Sequence, residues 1–176
     1  MKENVTLHEM LSFREKKVGM QEALRRKHDK ATIVALGMNI PGPTKTSPGI
    51  LVAFSAGGEE LDSLFFENGL TVLEETVVKE KAGYLKLYAV KSLDSLLVKR
   101  LTVRMEETHP LGRLFDIDVY DEAGNGIGRA ELGSPMRKCL ICEKNAKLCG
   151  RSRSHTVEEL YGRVESIIDS WLKGGR

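Results

Sequence analysis

The sequence lacks any long apolar segment. No stretch approaches the roughly 20 apolar residues that a membrane-spanning helix requires, and the opening MKENVTLHEM lacks the continuous apolar core of a signal peptide. We therefore expect a cytoplasmic protein that does not associate with membranes. The sequence also lacks internal repeats and low-complexity linkers. Its 176 residues predict one domain, residues 1–176, with a helical, cysteine-containing part from about residue 137.

The chain also has no large excess of positive or negative charge, and it contains few cysteines. The chain has 27 Lys and Arg against 25 Asp and Glu, with 41% hydrophobic and 30% charged residues. This composition argues against disorder and against a surface that binds nucleic acid over the whole chain, so any anion site must be local. The three cysteines lie within residues 139–149. An odd number in one short segment makes a poor disulfide framework and favours metal ligation or burial.

Turn residues and apolar periodicity predict an α+β fold, with helices packed on a mixed, largely antiparallel sheet. Capping boxes at Thr6 and Ser12 predict a short helix and then a longer one ending near His28. Ser47-Pro48 predicts the start of a helix that Gly57-Gly58 kinks or splits. Residues 139–172 are predicted to be helical. Strands are predicted at residues 31–40, 70–78, 84–90, 99–107, 114–120 and 127–132, the first of them central in the sheet because both of its faces are apolar.

Two aspartates interrupt the strand FDIDVY. With period two, Phe115, Ile117 and Val119 form an apolar face, and Asp116 and Asp118 lie on the opposite face with Cα atoms roughly 6.5 Å apart. A solvated face of an edge strand is one interpretation. The other is a Mg²⁺ site, because a divalent cation offsets the repulsion of two carboxylates and suits phosphoryl or nucleotidyl transfer.

Two further features extend this hypothesis. Glu106 is predicted to lie on the polar face of a neighbouring strand, as a surface glutamate or as a third Mg²⁺ ligand. The loop NIPGPTK joins a strand to a helix and contains Gly42 and Lys45, so free amides and a cation are available for a phosphate. The loop matches neither the Walker motif nor G-x-G-x-x-G, and a plain connector is the alternative.

The segment RKCLICEKNAKLCGRSRSH, residues 137–155, combines soft ligands with positive charge. Its spacing C-x₂-C-x₆-C-x₅-H predicts a tetrahedral zinc site, and burial of the cysteines on one helix face is the alternative. The same segment has a local excess of basic residues, which makes it the best anion-binding candidate in the chain or else a solvated basic helix. The four soft ligands are Cys139, Cys142, Cys149 and His155.

Three segments, HPLGRLFDIDV, NIPGPTK and RKCLICEKNAKLCGRSRSH, together resemble the apo-citrate lyase phosphoribosyl-dephospho-CoA transferases, also called holo-citrate-lyase acyl-carrier-protein synthases. The similarity runs from about Ser12 to Leu160, and its specific part is G-R-L-x-D-I-D-V. The D-x-D string is also similar to the metal carboxylates of the nucleotidyltransferase fold, although the glycine-serine motif that usually precedes them there is not evident. This similarity implies a nucleotidyltransferase-like fold.

The resemblance implies a transferase that takes triphosphoribosyl-dephospho-CoA, releases pyrophosphate and attaches phosphoribosyl-dephospho-CoA to a serine of the citrate lyase acyl carrier (gamma) subunit. Asp116 and Asp118 would be catalytic and hold Mg²⁺, and one of them would receive the serine proton. Arg113 and Lys45 would bind phosphate oxygens. The basic run that includes Arg137 and Arg151 would bind the pyrophosphate end or dock the acidic carrier. No nucleic acid is implied as a partner.

Two other functions stay open at this stage. One is the same transfer to the carrier subunit of malonate decarboxylase. The other is a zinc-stabilised basic binding module without catalysis, for which replacement of Asp116 would leave partner binding unchanged.

Overall fold

The computed structural model describes residues 4–92 and 94–174. In chain order the elements are α1 (Leu7–Lys27), β1 (Ala31–Met38), α2 (Pro48–Glu67), β2 (Thr71–Glu80), β3 (Gly83–Lys91), α3 (Ser95–Thr108), β4 (Phe115–Tyr120), α4 (Ala146–Ser152) and α5 (Val157–Lys173). Short 3₁₀ turns cover Gly112–Leu114 and Arg129–Leu132. Among the described residues, no helix combines the length and apolar character that a membrane span needs.

The four strands form one sheet in the order β2-β3-β1-β4, and every neighbouring pair is antiparallel. This arrangement confirms the α+β class and the central position of β1, whose first six residues are buried. β4 lies at one edge, where it pairs with β1 alone, so Asp116 lies opposite Gly37 and Asp118 opposite Ala35. The sheet therefore carries the aspartates on an edge strand.

The two faces of the sheet pack against different helices. One face packs with residues of α2, α3 and α5 in the larger apolar cluster, which includes Phe115, Ile117 and Val119 of β4. The other face packs against α1 through a smaller cluster around Leu24 and Ala35. Asp116 and Asp118 alternate with the apolar residues of β4 and lie on the α1 side. The predicted alternation of β4 is confirmed.

Residues 99–107, predicted to form a strand, belong to helix α3. Asp94 caps this helix, because its carboxylate accepts a hydrogen bond from the Leu97 amide at 3.0 Å. The alternation of Leu101, Val103 and Met105 resembled a half-buried strand. The residues that α3 buries instead recur at helical spacing, and they are Val98, Lys99, Thr102, Val103, Met105 and Glu106.

Several other boundaries differ from the predictions. One capped helix, α1, replaces the two predicted near the N-terminus, because only the Thr6 capping box begins a helix and Ser12 lies inside it. α2 continues through Gly57-Gly58, where a Cβ on Gly57 would lie 2.7 Å from the Phe115 ring. Ile127 extends the pairing of β4 by one hydrogen bond to Val119. The predicted strand 127–132 is wrong, because the chain then turns into the second 3₁₀ segment.

Gly112, the first residue of the specific G-R-L-x-D-I-D-V string, lies against the end of α3. A Cβ there would lie 2.4 Å from the Glu106 carbonyl oxygen and 2.8 Å from that of Met105. Backbone atoms cannot move aside as a flexible side chain can. Glycine at this position lets the chain turn from α3 directly into β4.

Replacing Gly112 with alanine should therefore destabilise the protein by about 2 kcal/mol or more, since overpacking against backbone displaces α3 or β4. Chemical denaturation would measure the free energy of unfolding. Gly162→Ala is the matched control, because its Cβ meets no atom within 4 Å and alanine favours a helix interior. Equal stability of the two variants would contradict the steric role of Gly112.

Candidate functional site

Side chains cap the outer edge of β4. The Glu106 carboxylate accepts a hydrogen bond from the Ile117 amide at 3.0 Å, and the Lys99 ammonium donates to the Ile117 carbonyl at 2.9 Å. Arg137 donates to the Phe115 carbonyl at 2.7 Å. These groups satisfy an edge that would otherwise be open to a further strand. They also bring charged side chains next to the aspartates.

Each aspartate has a cationic neighbour. Lys17 of α1 lies 2.6 Å from Asp118, and Arg137 lies 3.7 Å from Asp116. Desolvation, together with the charge of Asp118, raises the pKa of Asp116 even though Lys17 and Arg137 oppose the shift. Burial alone would lower the pKa of Lys17, but the Asp118 carboxylate raises it overall. Burial and the neighbouring carboxylate therefore favour the protonated form of Asp116, and the two cations oppose this effect.

The aspartates line a cavity of about 460 Å³ between β4, α3 and the chain after the second 3₁₀ turn. Three carboxylates and six cationic side chains line it, so its walls carry an excess of positive charge suited to a polyanion. The carboxylates are Asp116, Asp118 and Glu106, and the cations are Lys99, Arg113, Arg129, Arg137, Lys138 and Lys147.

Glu106 lies on α3 and not on a strand, as a consequence of the mispredicted element. Only 5% of this residue is exposed. One carboxylate oxygen accepts from the Ile117 amide, and the other accepts from Arg129 at 2.6 Å. Since both oxygens are engaged, Glu106 braces the cavity wall, and we do not include it among the metal ligands proposed below.

A smaller cavity of about 250 Å³ lies on the α1 side of Asp116. Arg14, Lys17 and Lys45 line it together with Asp116. Lys45 donates to the Ile40 carbonyl at 2.6 Å, and burial, with the charge of Arg14, lowers its pKa. The NIPGPTK loop thus places its lysine in a cavity that Asp116 also lines, whereas Arg137 lines the larger cavity on the other side of this aspartate.

The arginines singled out in the sequence occupy different positions. Arg113 donates to the carbonyls of Lys138 and Cys139 at 2.7 and 2.6 Å, and so ties the cysteine segment to the turn before β4. Arg137 lines the aspartate cavity. Arg151 is exposed on α4 and is not among the residues lining the cavities described here. Direct phosphate binding by these arginines stays a prediction.

The soft ligands of the C-terminal segment come together. One donor atom from each of Cys139, Cys142, Cys149 and His155 lies within 4.8 Å of the other three. The Sγ atoms of Cys142 and Cys149 are 3.4 Å apart, and His155 Nε2 is 3.3 Å from Cys142 Sγ. The prediction that residues 139–172 are helical is confirmed for α4 and α5 and is wrong for residues 139–145. Because residues 139–145 form turns before α4, the first two cysteines can reach the third.

These distances suit a tetrahedral metal centre. Two sulfur ligands of a zinc ion lie about 3.8 Å apart, because each Zn–S bond is about 2.3 Å long. The Cys142 thiol, followed by burial, raises the pKa of Cys149 to about 11. Burial opposes ionisation of Cys139, but the backbone amides of Cys142 and Ile141 donate to its sulfur and lower its pKa overall. The close approach of the four donor atoms means that the cluster could bind a metal such as zinc, with which thiol protons would compete.

The metal-ligand cluster adjoins the aspartate cavity. A third cavity, of about 710 Å³, is lined by Cys139, Cys149, His155 and Gly42. Gly42 has φ +79°, and a Cβ there would lie 2.5 Å from the Val157 side chain, so the loop passes close to the start of α5. Asn39 lines all three cavities and therefore lies where they meet.

Sequence reasoning missed several residues of this site, among them Lys17, Lys99, Arg129 and Asn39. Lys99 was missed because residues 99–107 were predicted to form a strand. With the helical spacing of α3, Lys99 and Glu106 would both have been predicted to lie on its buried face. Lys17 lies about 100 residues before the aspartates in the chain, so no local signal could connect them. Asn39 lies near the end of the first predicted strand and begins the NIPGPTK segment, but nothing in the sequence distinguished it as a site residue.

The whole chain was compared with known proteins. The model of the apo-citrate lyase phosphoribosyl-dephospho-CoA transferase family matches residues 5–171. The chain belongs to this family. It is therefore a transferase enzyme, and the family indicates apo-citrate lyase phosphoribosyl-dephospho-CoA transferase activity.

Curated relatives support the same assignment. A Streptococcus pyogenes serotype M18 protein is 34% identical over 174 residues, covering 97% of this chain and 88% of the relative. A Vibrio cholerae serotype O1 protein is 30% identical over 168 residues, covering 96% and 94%. Both are described as "Probable apo-citrate lyase phosphoribosyl-dephospho-CoA transferase". The similarity extends over nearly the full length of each protein.

Proposed function

We propose that this enzyme transfers phosphoribosyl-dephospho-CoA from triphosphoribosyl-dephospho-CoA to a serine of the citrate lyase acyl carrier protein and releases pyrophosphate. The observation that carries this proposal is the aspartate pair at the wall of a basic cavity. Asp116 and Asp118 project from one edge strand, and six cationic side chains line the same space. A triphosphate needs such an excess of positive charge together with carboxylates that can hold a metal.

In the proposed reaction the serine oxygen forms a bond to the phosphorus nearest the ribose, and the bond from that phosphorus to the pyrophosphate breaks. The serine proton passes to a base, and Asp116 or Asp118 of the cavity wall is proposed for this role. Arg137, beside Asp116, is placed to bind the phosphates, and Lys45 could do so from the neighbouring cavity. The excess positive charge of the wall stabilises the leaving pyrophosphate.

The donor set at the aspartates fits Mg²⁺. Its carboxylate oxygens are hard ligands, and Mg²⁺ often takes only one or two carboxylates while phosphate and water supply the rest. A metal ion can reach Asp116, since 55% of its side chain is exposed. When bound, Mg²⁺ would neutralise charge on the phosphates. Lys17 would hold Asp118 in position from the α1 side.

The basic segment after β4 fits an acidic carrier protein. Lys144, Lys147, Arg151 and Arg153 are exposed, and Lys147 also lines the aspartate cavity. A carrier bound there would have its serine close to the aspartates, and the complementary charge would speed association.

Release of pyrophosphate tests the proposal. The enzyme, Mg²⁺ and triphosphoribosyl-dephospho-CoA should release one pyrophosphate for each apo-carrier added, and the citrate lyase carrier should react faster than that of malonate decarboxylase. If the malonate decarboxylase carrier reacts faster, that carrier is the acceptor and the proposed citrate lyase acceptor is wrong. Absence of carrier-dependent release with either protein would refute the transfer.

A second proposal concerns the cysteine segment. We propose that Cys139, Cys142, Cys149 and His155 hold one Zn²⁺ with four protein ligands, which makes the centre structural and not catalytic. Its ligand loop also forms part of the aspartate cavity wall, through Lys138 and Leu140. The zinc would thereby keep that wall in place.

A further inference from the structure

Lys99 is a buried lysine of the cavity wall to which the proposed reaction assigns no contact of its own. Only 6% of the residue is exposed. Its ammonium group donates to the Ile117 carbonyl at 2.9 Å, and the residue is among those that line the cavity containing Asp116 and Asp118. Ile117 separates the two aspartates along β4. The ammonium group therefore lies at the outer edge of β4, beside the backbone of the residue between the two aspartates.

No carboxylate in the described part of the chain lies within salt-bridge distance of this ammonium group. The nearest candidate on its own helix, Glu106, is already engaged by Arg129 and by the Ile117 amide. The Ile117 carbonyl accepts one of three ammonium protons, and the described residues supply no second hydrogen-bond acceptor. A buried ammonium without an anion is costly unless a partner arrives.

The other buried lysine shows what complete pairing looks like in this fold. Lys86 is 9% exposed, and its ammonium group lies 2.9 Å from Asp62 and 3.1 Å from Glu75. It belongs to the sheet strand β3 and does not line the aspartate cavity. The two lysines are similarly buried, but only the one at the cavity lacks an ion-pair partner.

We propose that Lys99 binds a non-bridging phosphate oxygen of the substrate at the aspartate pair. This inference rests on the proposed function and adds a substrate-binding residue to it. The two remaining ammonium protons are free to donate to phosphate, and the Ile117 carbonyl fixes the direction from which they do so. Lys99 would then approach the phosphates from the α3 side, while Lys17 and Lys45 lie on the α1 side.

Tripolyphosphate binding, measured by calorimetry with Mg²⁺ present, tests this role. Lys99→Gln keeps a donor for the Ile117 carbonyl but removes the charge, so its dissociation constant should rise about tenfold to a hundredfold. Lys86→Gln, the matched control, should bind tripolyphosphate as the wild type does. Lys99→Met serves if the glutamine variant fails to fold, as judged by circular dichroism and thermal unfolding.

The outcomes separate the two proposals. Loss of binding in folded Lys99→Gln but not in Lys86→Gln supports the phosphate role, even if no carrier is modified and the proposed function fails. Wild-type affinity in the Lys99 variants would limit Lys99 to capping the edge of β4, even if the carrier is modified normally. Absence of tripolyphosphate binding by the wild type would overturn the inference as well.

Discussion

Replacing Asp118 with asparagine should lower the rate of transfer to the carrier by about a thousandfold or more. Asparagine keeps the shape of the side chain and removes the negative charge, so the proposed site loses a metal ligand and a potential proton acceptor. Steady-state kinetics with saturating Mg²⁺ would measure the loss. We expect it mainly in kcat, because the carboxylate acts on the reacting phosphate and contributes less to binding of the distant adenine and pantetheine groups.

The loss of activity must be separated from a loss of stability. The Lys17–Asp118 ion pair is partly exposed, with 22% and 43% of the two side chains accessible, so its removal should cost at most about 1 kcal/mol. Asp121→Asn is the matched control, because Asp121 lies just after β4 and binds the amide of Asn125 at 2.8 Å. If the Asp118→Asn variant folds and is as active as Asp121→Asn, Asp118 has a structural role and not a catalytic one.

Purified enzyme should contain one zinc ion per chain, and replacing Cys142 with serine should remove most of it. Cys142 Sγ contacts both Cys149 Sγ and His155 Nε2, so its loss disrupts the centre of the ligand set. Zinc can contribute on the order of 10 kcal/mol to the folding of a small metal-dependent unit. We expect the variant to unfold at a lower temperature and to lose the order of residues 137–155. Elemental analysis and thermal unfolding would measure the two effects.

Replacement of single histidines provides the control for the zinc centre. His155→Ala should also lose zinc, whereas His8→Ala should keep it, because His8 is exposed on α1. If the protein is expressed in zinc-supplemented medium, folds normally and contains no zinc, the cysteines serve only in packing. A wild-type zinc content in Cys142→Ser would contradict the ligand set.

The site could be predicted from sequence where its residues are close together in the chain. Asp116 and Asp118 follow from the period of one strand, and the C-x₂-C-x₆-C-x₅-H spacing gives the four ligands of the cluster. The same spacing also left burial on one helix face open, because separations of three and seven residues fall on one side of a helix. A continuous helix would hold Cys149 away from the first pair, but residues 139–145 are not helical, so the first two cysteines can reach the third.

Residues distant in sequence could not be placed in this way. Leu101, Val103 and Met105 alternate as a half-buried strand does, and tertiary burial of Val98, Thr102 and Glu106 decides in favour of a helix. This one error moved Glu106 to the wrong kind of element and hid Lys99. The contact between Lys17 and Asp118 depends on how α1 lies across the sheet, which local periodicity does not specify.

The intact mass of the apo-carrier after incubation with this enzyme, Mg²⁺ and triphosphoribosyl-dephospho-CoA tests the central claim most directly. We expect the citrate lyase carrier to gain the mass of one phosphoribosyl-dephospho-CoA group, on a serine identified by peptide fragmentation, and EDTA to abolish the gain. An unmodified carrier in the presence of folded enzyme and Mg²⁺ would contradict the proposed transfer.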